Sequence, residues 1–166
     1  MKTKLLLTLI AVAVAAFVGA CKKSDDHGHD HDHGGHDHGK KAASKQAKAP
    51  NGGKLFAVDG GHMELVVEKD RTATVRFFDK ELKPVATGTR SVTAIGEATT
   101  GKVTLEFAAK ADALATATPF PEGKPYPLAL SLKATADAKP VNFRLKLDLG
   151  QCGECKLKEY ACICDH

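Results

Sequence analysis

The sequence predicts an all-β fold, a small antiparallel β-sandwich of six to seven strands. Apolar and polar residues alternate with a period of two in several short segments, and turn-forming residues separate these segments. This alternation is typical of strands that have one buried and one solvated face. No rhythm of strands alternating with helices is visible, which argues against Rossmann and thioredoxin-like architectures. The sandwich is assigned to residues 51–149, flanked by a disordered His-rich linker and a Cys-rich C-terminal tail.

The strands follow in order along the chain. A first strand at Leu55–Val58 is joined to a second at His62–Glu68 by the hairpin turn Asp59-Gly60-Gly61. A helical turn is expected within the alanine-rich segment 108–118, before Pro119. The other segments whose alternation predicts strands are 72–78, 91–95, 103–107, 128–133 and 141–149.

The N-terminus carries the features of an export signal. Two lysines precede an apolar run, residues 5–18, which is shorter than the roughly 20 residues that span a bilayer. The sequence Val18-Gly19-Ala20-Cys21 resembles a bacterial lipobox, whose cysteine is acylated and becomes the first residue of the mature chain. We therefore predict a lipoprotein signal peptide at residues 1–20 and a membrane anchor on Cys21, with an ordinary secretory signal as the alternative.

The expected location is a membrane surface that faces the periplasm or the cell exterior. Lys22 follows the acylated cysteine, whereas in the Gram-negative lipoproteins that this segment resembles an Asp signals retention at the inner membrane. The resemblance thus favours the outer membrane. Loss of residues 1–20 leaves 22 basic and 20 acidic residues, a net charge near +2 that gives no reason to expect a nucleic-acid partner.

Residues 21–50 are predicted to be the acylated cysteine and a disordered tether, because they have no apolar periodicity. Six histidines and five aspartates fall within residues 25–38 of this tether. Neutral imidazole binds Zn, Cu, Ni and Co, and carboxylates add charge. Such a tract should exchange ions readily and lose them as the pH falls through about 6.5. The alternative is a linker that only stays solvated. The candidate ligands are His27, His29, His31, His33, His36, His38, Asp30, Asp32 and Asp37.

The C-terminal segment 150–166 holds four more cysteines and a terminal histidine, at positions Cys152, Cys155, Cys162, Cys164 and His166. Thiolates bind Zn(II) tetrahedrally and bind soft Cu(I) readily, so this segment is a second candidate metal site. Two alternatives remain open. Four cysteines in an exported protein can form two disulfides, for example Cys152–Cys164 nested around Cys155–Cys162. The C-x-x-C pair can also be redox-active, although the thioredoxin-like context is missing.

A third candidate pair, His62 and Glu64, occupies positions i and i+2 of one predicted strand. Both side chains are therefore expected on the same solvent-facing side, where they could complete a site with a histidine of the tether. The alternative is an ordinary polar strand face.

Several short motifs in residues 50–95 resemble one known family. They are Pro50-Asn51-Gly52-Gly53, His62-Met63-Glu64-Leu65, Phe77-Phe78-Asp79 and Lys83-Pro84-Val85. Together they are similar to the small β-domain at the N-terminus of heavy-metal efflux adaptor proteins. The chain departs from that pattern at Asn51, where a histidine is typical, and at Phe78, where a tyrosine is typical. The resemblance implies a metal-resistance context and no particular ion, and the adaptor's coiled-coil regions have no counterpart here.

These features predict a membrane-anchored protein that binds transition-metal ions outside the cytoplasm as a sink, chaperone or donor. Zn(II) or Cu(I) is the expected ion, and a metal transporter or efflux protein is a possible partner. The alternative function is a structural or interaction lipoprotein with a disulfide-capped sandwich. No catalytic constellation is visible in the sequence, so an enzyme is not expected.

Overall fold

A computed structural model describes residues 47–164. The predicted export signal, the predicted lipid-attachment residue Cys21 and the His/Asp tract of residues 25–38 lie outside these residues. Within 47–164, no helix combines the length and apolarity needed to cross a bilayer.

The described chain is built almost entirely from antiparallel strands, which confirms the predicted all-β sandwich. The nine strands are β1 (Lys54–Val58), β2 (Gly61–Val67), β3 (Ala73–Phe78), β4 (Pro84–Val85), β5 (Ser91–Ala98), β6 (Gly101–Lys110), β7 (Ala113–Thr116), β8 (Tyr126–Lys133) and β9 (Val141–Leu147). A short 3₁₀ turn, Glu159–Ala161, follows near the C-terminus.

Strand β6 joins the two sheets of the sandwich. Its first half, Gly101–Glu106, pairs with β5, and its second half, Phe107–Lys110, pairs with β7. The hydrogen-bonded order is β1-β2-β3-β7-β6-β5-β8-β9, with the short β4 paired to β3. The two end strands approach each other through Phe56 of β1 and Phe143 of β9, whose ring centroids lie 5.0 Å apart. The sheet therefore nearly closes on itself.

The alternating residues of the long strands fill one continuous core. In β2, for example, Met63 and Leu65 are fully buried, and their neighbours Val75 and Phe77 on β3 pack against them. Phe120, from the loop after β7, is also buried in this core, with its backbone N–H donating to the carbonyl of Arg71. The long alternating strands thus contribute their apolar residues to the same interior, as the sequence predicts.

The sequence prediction was wrong for the alanine-rich segment. A helical turn was expected within 108–118, but the chain there continues as β6, turns at Ala111–Asp112 and returns as β7. Ala111 makes the turn with a φ of 53°. All four residues of β7 are buried, so the strand shows no alternation that could have revealed it.

Candidate metal centre

The first two cysteines lie on one tight loop after β9. An isolated bridge between Gln151 and Lys158 closes this loop at its base. Inside it, the N–H of Cys152 donates to the carbonyl of Leu157 at 2.8 Å, and the N–H of Lys156 donates back to the Cys152 carbonyl at 3.2 Å. Lys156 adopts a positive φ of 62°, which turns the chain back on itself. The hydrogen-bonded loop therefore fixes where its two sulfurs point.

The second pair of cysteines follows the 3₁₀ turn Glu159–Ala161. The N–H of Cys162 donates to the carbonyl of Glu159 at 3.1 Å, so Cys162 leaves the turn in a defined direction. The N–H of Cys164 then donates to the Sγ of Cys162 at 3.3 Å. This hydrogen bond makes a tight turn of the segment Cys162–Cys164 and keeps the two cysteines close together.

The segment between the two pairs is anchored to the sandwich. Tyr160 is 5 % exposed and belongs to the core, and its hydroxyl accepts a 2.9 Å hydrogen bond from the N–H of Val67 on β2. The N–H of Tyr160 donates to the carbonyl of Asp148 at 3.0 Å, and that of Glu159 donates to Gly150 at 2.8 Å. None of these contacts involves a sulfur atom. The fold itself therefore brings the two cysteine pairs together.

The four cysteine sulfurs form a compact cluster. No disulfide bond joins them in this structure, and all four Sγ atoms lie within 4.8 Å of one another. The Sγ–Sγ distance is 3.3 Å for Cys152–Cys162, 3.6 Å for Cys155–Cys162 and 4.0 Å for Cys152–Cys164. A tetrahedron with metal–sulfur bonds of about 2.3 Å has edges of about 3.8 Å. The donor set therefore fits one tetrahedrally bound ion.

Backbone N–H groups around the first loop favour thiolate there. The N–H of Cys155, followed by that of Glu154, lowers the pKa of Cys152 to about 6. The N–H of Leu157 likewise lowers the pKa of Cys155, against the effect of burial. This pair therefore ionises readily, before a metal contributes any positive charge.

The C-x-C pair has the opposite tendency. For Cys162 the N–H of Cys164 acts to lower the pKa, but burial and the neighbouring sulfurs outweigh it and the pKa is raised. Burial is also the main reason why the pKa of Cys164 is raised. A metal that takes all four sulfurs must displace the protons of this second pair, since only thiolates are full ligands.

The cluster is covered on one side and open on the other. Cys152 is 1 % exposed, whereas Cys155, Cys162 and Cys164 are half-buried. An ion held here would thus rest against the sandwich and remain within reach of solvent.

The expectation that Glu64 faces solvent was wrong. Glu64 is 0 % exposed because the loop of residues 50–53 covers the outer face of β2. One carboxylate oxygen accepts hydrogen bonds from the N–H groups of Asn51 and Gly53, both at 2.9 Å, and the other accepts from the Asn51 Nδ2 at 2.7 Å. With both oxygens engaged in this way, the carboxylate fixes the loop. His62 is half-buried, and its Nδ1 lies 3.2 Å from the carbonyl of Asp79.

The structure therefore brings together four of the predicted ligands, Cys152, Cys155, Cys162 and Cys164. The other predicted ligands lie outside residues 47–164: His27, His29, His31, His33, His36, His38, Asp30, Asp32, Asp37 and His166. Sequence reasoning missed Tyr160, whose single aromatic ring between two cysteine pairs was the available signal. It also missed the contact between the Pro50-Asn51-Gly52-Gly53 motif and Glu64, two segments that the family resemblance had singled out separately.

Comparisons of the chain with protein-family models, with curated proteins and with solved structures found no match.

Proposed function

We propose that this protein binds one thiophilic transition-metal ion at its four-cysteine cluster, outside the cytoplasm, as a sink, chaperone or donor of that ion. The observation that carries the proposal is the approach of four Sγ atoms to within 4.8 Å of one another. Four cysteine thiolates are one of the usual donor sets of structural zinc sites in proteins. The proposed role is binding rather than catalysis.

Zn(II) suits the arrangement best. Its filled d shell accepts the tetrahedral geometry that four sulfurs at these separations offer, and thiolate is among its preferred ligands. Cu(I) is the second candidate, because soft thiolates also select it. The half-buried side of the cluster would let either ion enter and leave without unfolding the sandwich.

The proposed location rests on the sequence. The lipobox-like Val18-Gly19-Ala20-Cys21 would place an acyl anchor at the start of the mature chain, and the tether would hold the sandwich above a membrane. The six histidines of the tether would capture ions loosely, and the cysteine cluster would hold one more tightly. The similarity to the β-domain of heavy-metal efflux adaptors supports a role in metal resistance, with a transporter as partner.

Metal titration of the mature protein tests the proposal. The protein carries Cys21→Ser, lacks residues 1–20 and 25–38, is fully reduced, and is titrated with Zn²⁺ or Cu⁺ against a chromophoric chelator. We expect one tightly bound ion per chain, and Co²⁺ should give the visible absorption of a tetrahedral thiolate complex. The ion that copurifies with the exported protein, prepared without added metal, identifies the cargo, because metal availability and site geometry rather than raw affinity decide selectivity in the cell.

Two variants give this titration its control. Replacing Cys152, Cys155, Cys162 and Cys164 together by Ser should abolish tight binding while leaving the Tyr160 anchor in place. Gly153→Ala, in the same loop, keeps all four sulfurs and adds a Cβ that meets nothing within 4 Å, so this variant should bind as the parent does. Tight binding that survives the serine changes would contradict the proposal.

Mass spectrometry of the exported protein tests the proposed lipid anchor, which requires acyl mass on Cys21.

A further inference from the structure

The four sulfurs that suit a metal ion also lie in two nested pairs. Cys155 and Cys162 have Sγ atoms 3.6 Å apart, and Cys152 and Cys164 have Sγ atoms 4.0 Å apart. A disulfide bond is about 2.05 Å long, so the inner pair must close by about 1.6 Å and the outer pair by about 2.0 Å. Both pairs use separate atoms, so both bonds can form in one molecule.

We propose that the cluster is a metal-gated thiol switch, which holds either one metal ion or two disulfides, Cys155–Cys162 and Cys152–Cys164, but never both. This inference rests on the proposed function, because the metal is the ion assigned there. A sulfur in a disulfide has no thiolate to offer a metal. Conversely, a thiolate bound to a metal has less electron density available for attack on an oxidant. Each state therefore excludes the other at the same four atoms.

One of the two other pairings is disfavoured by strain. Cys162 and Cys164 are separated by one residue, and a direct bond between them would be strained. A bond within the first loop, Cys152–Cys155, would leave that strained pair as its complement. The remaining pairing contains the two closest Sγ atoms, those of Cys152 and Cys162 at 3.3 Å, so disulfide mapping must separate it from the proposed pairing. Recovery of Cys152–Cys162 as the final bond would overturn the assigned connectivity.

The oxidation is balanced by a small-molecule disulfide. A thiolate of the pair attacks that disulfide, releases one small thiol and forms a mixed disulfide. The second cysteine then attacks the mixed disulfide, so the protein S–S bond forms and a second small thiol leaves. Formation of each protein disulfide thus releases two protons and two electrons, which reduce one small disulfide to two small thiols. Two small disulfides oxidise the whole cluster.

The anchors of the segment explain why the switch is local. Tyr160 is held by the N–H of Val67 and by the carbonyl of Asp148, and neither contact uses a sulfur. The sulfur atoms can therefore exchange a metal for disulfides while the ring remains in the core. The expected change is confined to the loop at Cys152–Cys155 and to the C-x-C segment.

The test compares oxidation of metal-free and zinc-loaded protein. Mature Cys21→Ser protein that lacks residues 25–38 is reduced, and its zinc binding is measured first. Both forms are then incubated with oxidised glutathione, alkylated and weighed by mass spectrometry. We expect the metal-free protein to lose four thiols, with Cys155–Cys162 and Cys152–Cys164 as the mapped bonds. The zinc-loaded protein should oxidise at least about tenfold more slowly, because its thiolates are occupied. The oxidised form should bind no tight zinc until it is reduced.

Paired variants sharpen the result. A chain that retains only Cys155 and Cys162, or only Cys152 and Cys164, should form its disulfide, whereas the control that retains only Cys162 and Cys164 should not. Equal oxidation rates with and without zinc would overturn the switch, as would tight zinc binding by the oxidised protein or four surviving thiols in the metal-free form. Absence of tight zinc binding by the reduced protein would instead overturn the proposed function, and that titration comes first.

Discussion

Replacing the buried carboxylate of Glu64 should release the loop of residues 50–53 from the sandwich. Its oxygens accept three hydrogen bonds, two from the backbone N–H groups of Asn51 and Gly53 and one from the Asn51 amide. Glu64→Ala leaves two backbone donors without an acceptor in a covered place. A buried donor that is left without a partner costs about 1–3 kcal/mol, so the two stranded N–H groups predict a loss of about 2–6 kcal/mol in the free energy of unfolding.

Glu64→Gln provides the matched comparison. The amide oxygen can still accept from both backbone N–H groups, and the Asn51 amide can turn to present its own oxygen to the new NH₂ group. The expected cost is therefore smaller, about 1–2 kcal/mol, from loss of the charge alone. Urea unfolding of reduced Cys21→Ser protein at constant zinc measures both values. If Glu64→Ala loses less than about 1 kcal/mol, the carboxylate does not hold the loop and this reasoning is refuted.

Further substitutions probe individual contacts of the described chain. Tyr160→Phe keeps the ring but strands the buried N–H of Val67, and should lower the free energy of unfolding by about 1–3 kcal/mol and speed amide exchange at Val67. Gly53→Ala should lower the free energy of unfolding by about 2–3 kcal/mol, because the added Cβ would lie 2.1 Å from the carbonyl oxygen of Leu65 on β2. Gly153→Ala is the control: its Cβ would meet no atom within 4 Å, so the same urea assay should show no change. The hydroxyl and the N–H of Thr72 donate to the Asp70 carboxylate and lower its pKa. The stabilisation from this carboxylate should be complete above its ordinary pKa and should disappear as the pH falls through the lowered pKa. The difference in urea midpoint between the parent and Asp70→Asn should therefore vanish at low pH.

The period-two pattern predicted the strands well because each long strand has one face in the core. β8 is an example, with Leu128, Leu130 and Leu132 buried and the residues between them more exposed. The pattern failed at β7, where both faces are buried, and at the two-residue β4. Alternation reports a difference between two faces, so it is silent where that difference is absent.

The same limit explains the error at Glu64. The period correctly placed it on the outer face of β2, opposite Met63 and Leu65. What covers that face is a loop 11–13 residues earlier in the chain, and its approach depends on hydrogen bonds that no periodicity encodes.

The spacing of the cysteines predicted which sulfurs could share one ion, because a C-x-x-C loop and a C-x-C segment each keep two sulfurs close together. It could not predict that the two pairs meet on the sandwich. That meeting depends on Tyr160, whose partner Val67 lies 93 residues away in the sequence. Contacts over such a separation are set by the assembled fold rather than by neighbouring residues.

This long separation also governs when the structure can be completed. β1 pairs with β2 only as far as Lys54 opposite Leu65, so the N–H of Val67 lies beyond the end of its neighbouring strand and is met by the Tyr160 hydroxyl. During synthesis, every residue of the nine strands leaves the ribosome before Tyr160 does. A chain that ends before Tyr160 would contain all nine strands but would leave the N–H of Val67 without its partner at the open end of β2. Unpaired backbone groups at strand edges are the sites through which β proteins associate with one another. Tyr160 thus completes the hydrogen bonding of β2, and truncated chains that lack it should aggregate or be degraded more readily than the full chain.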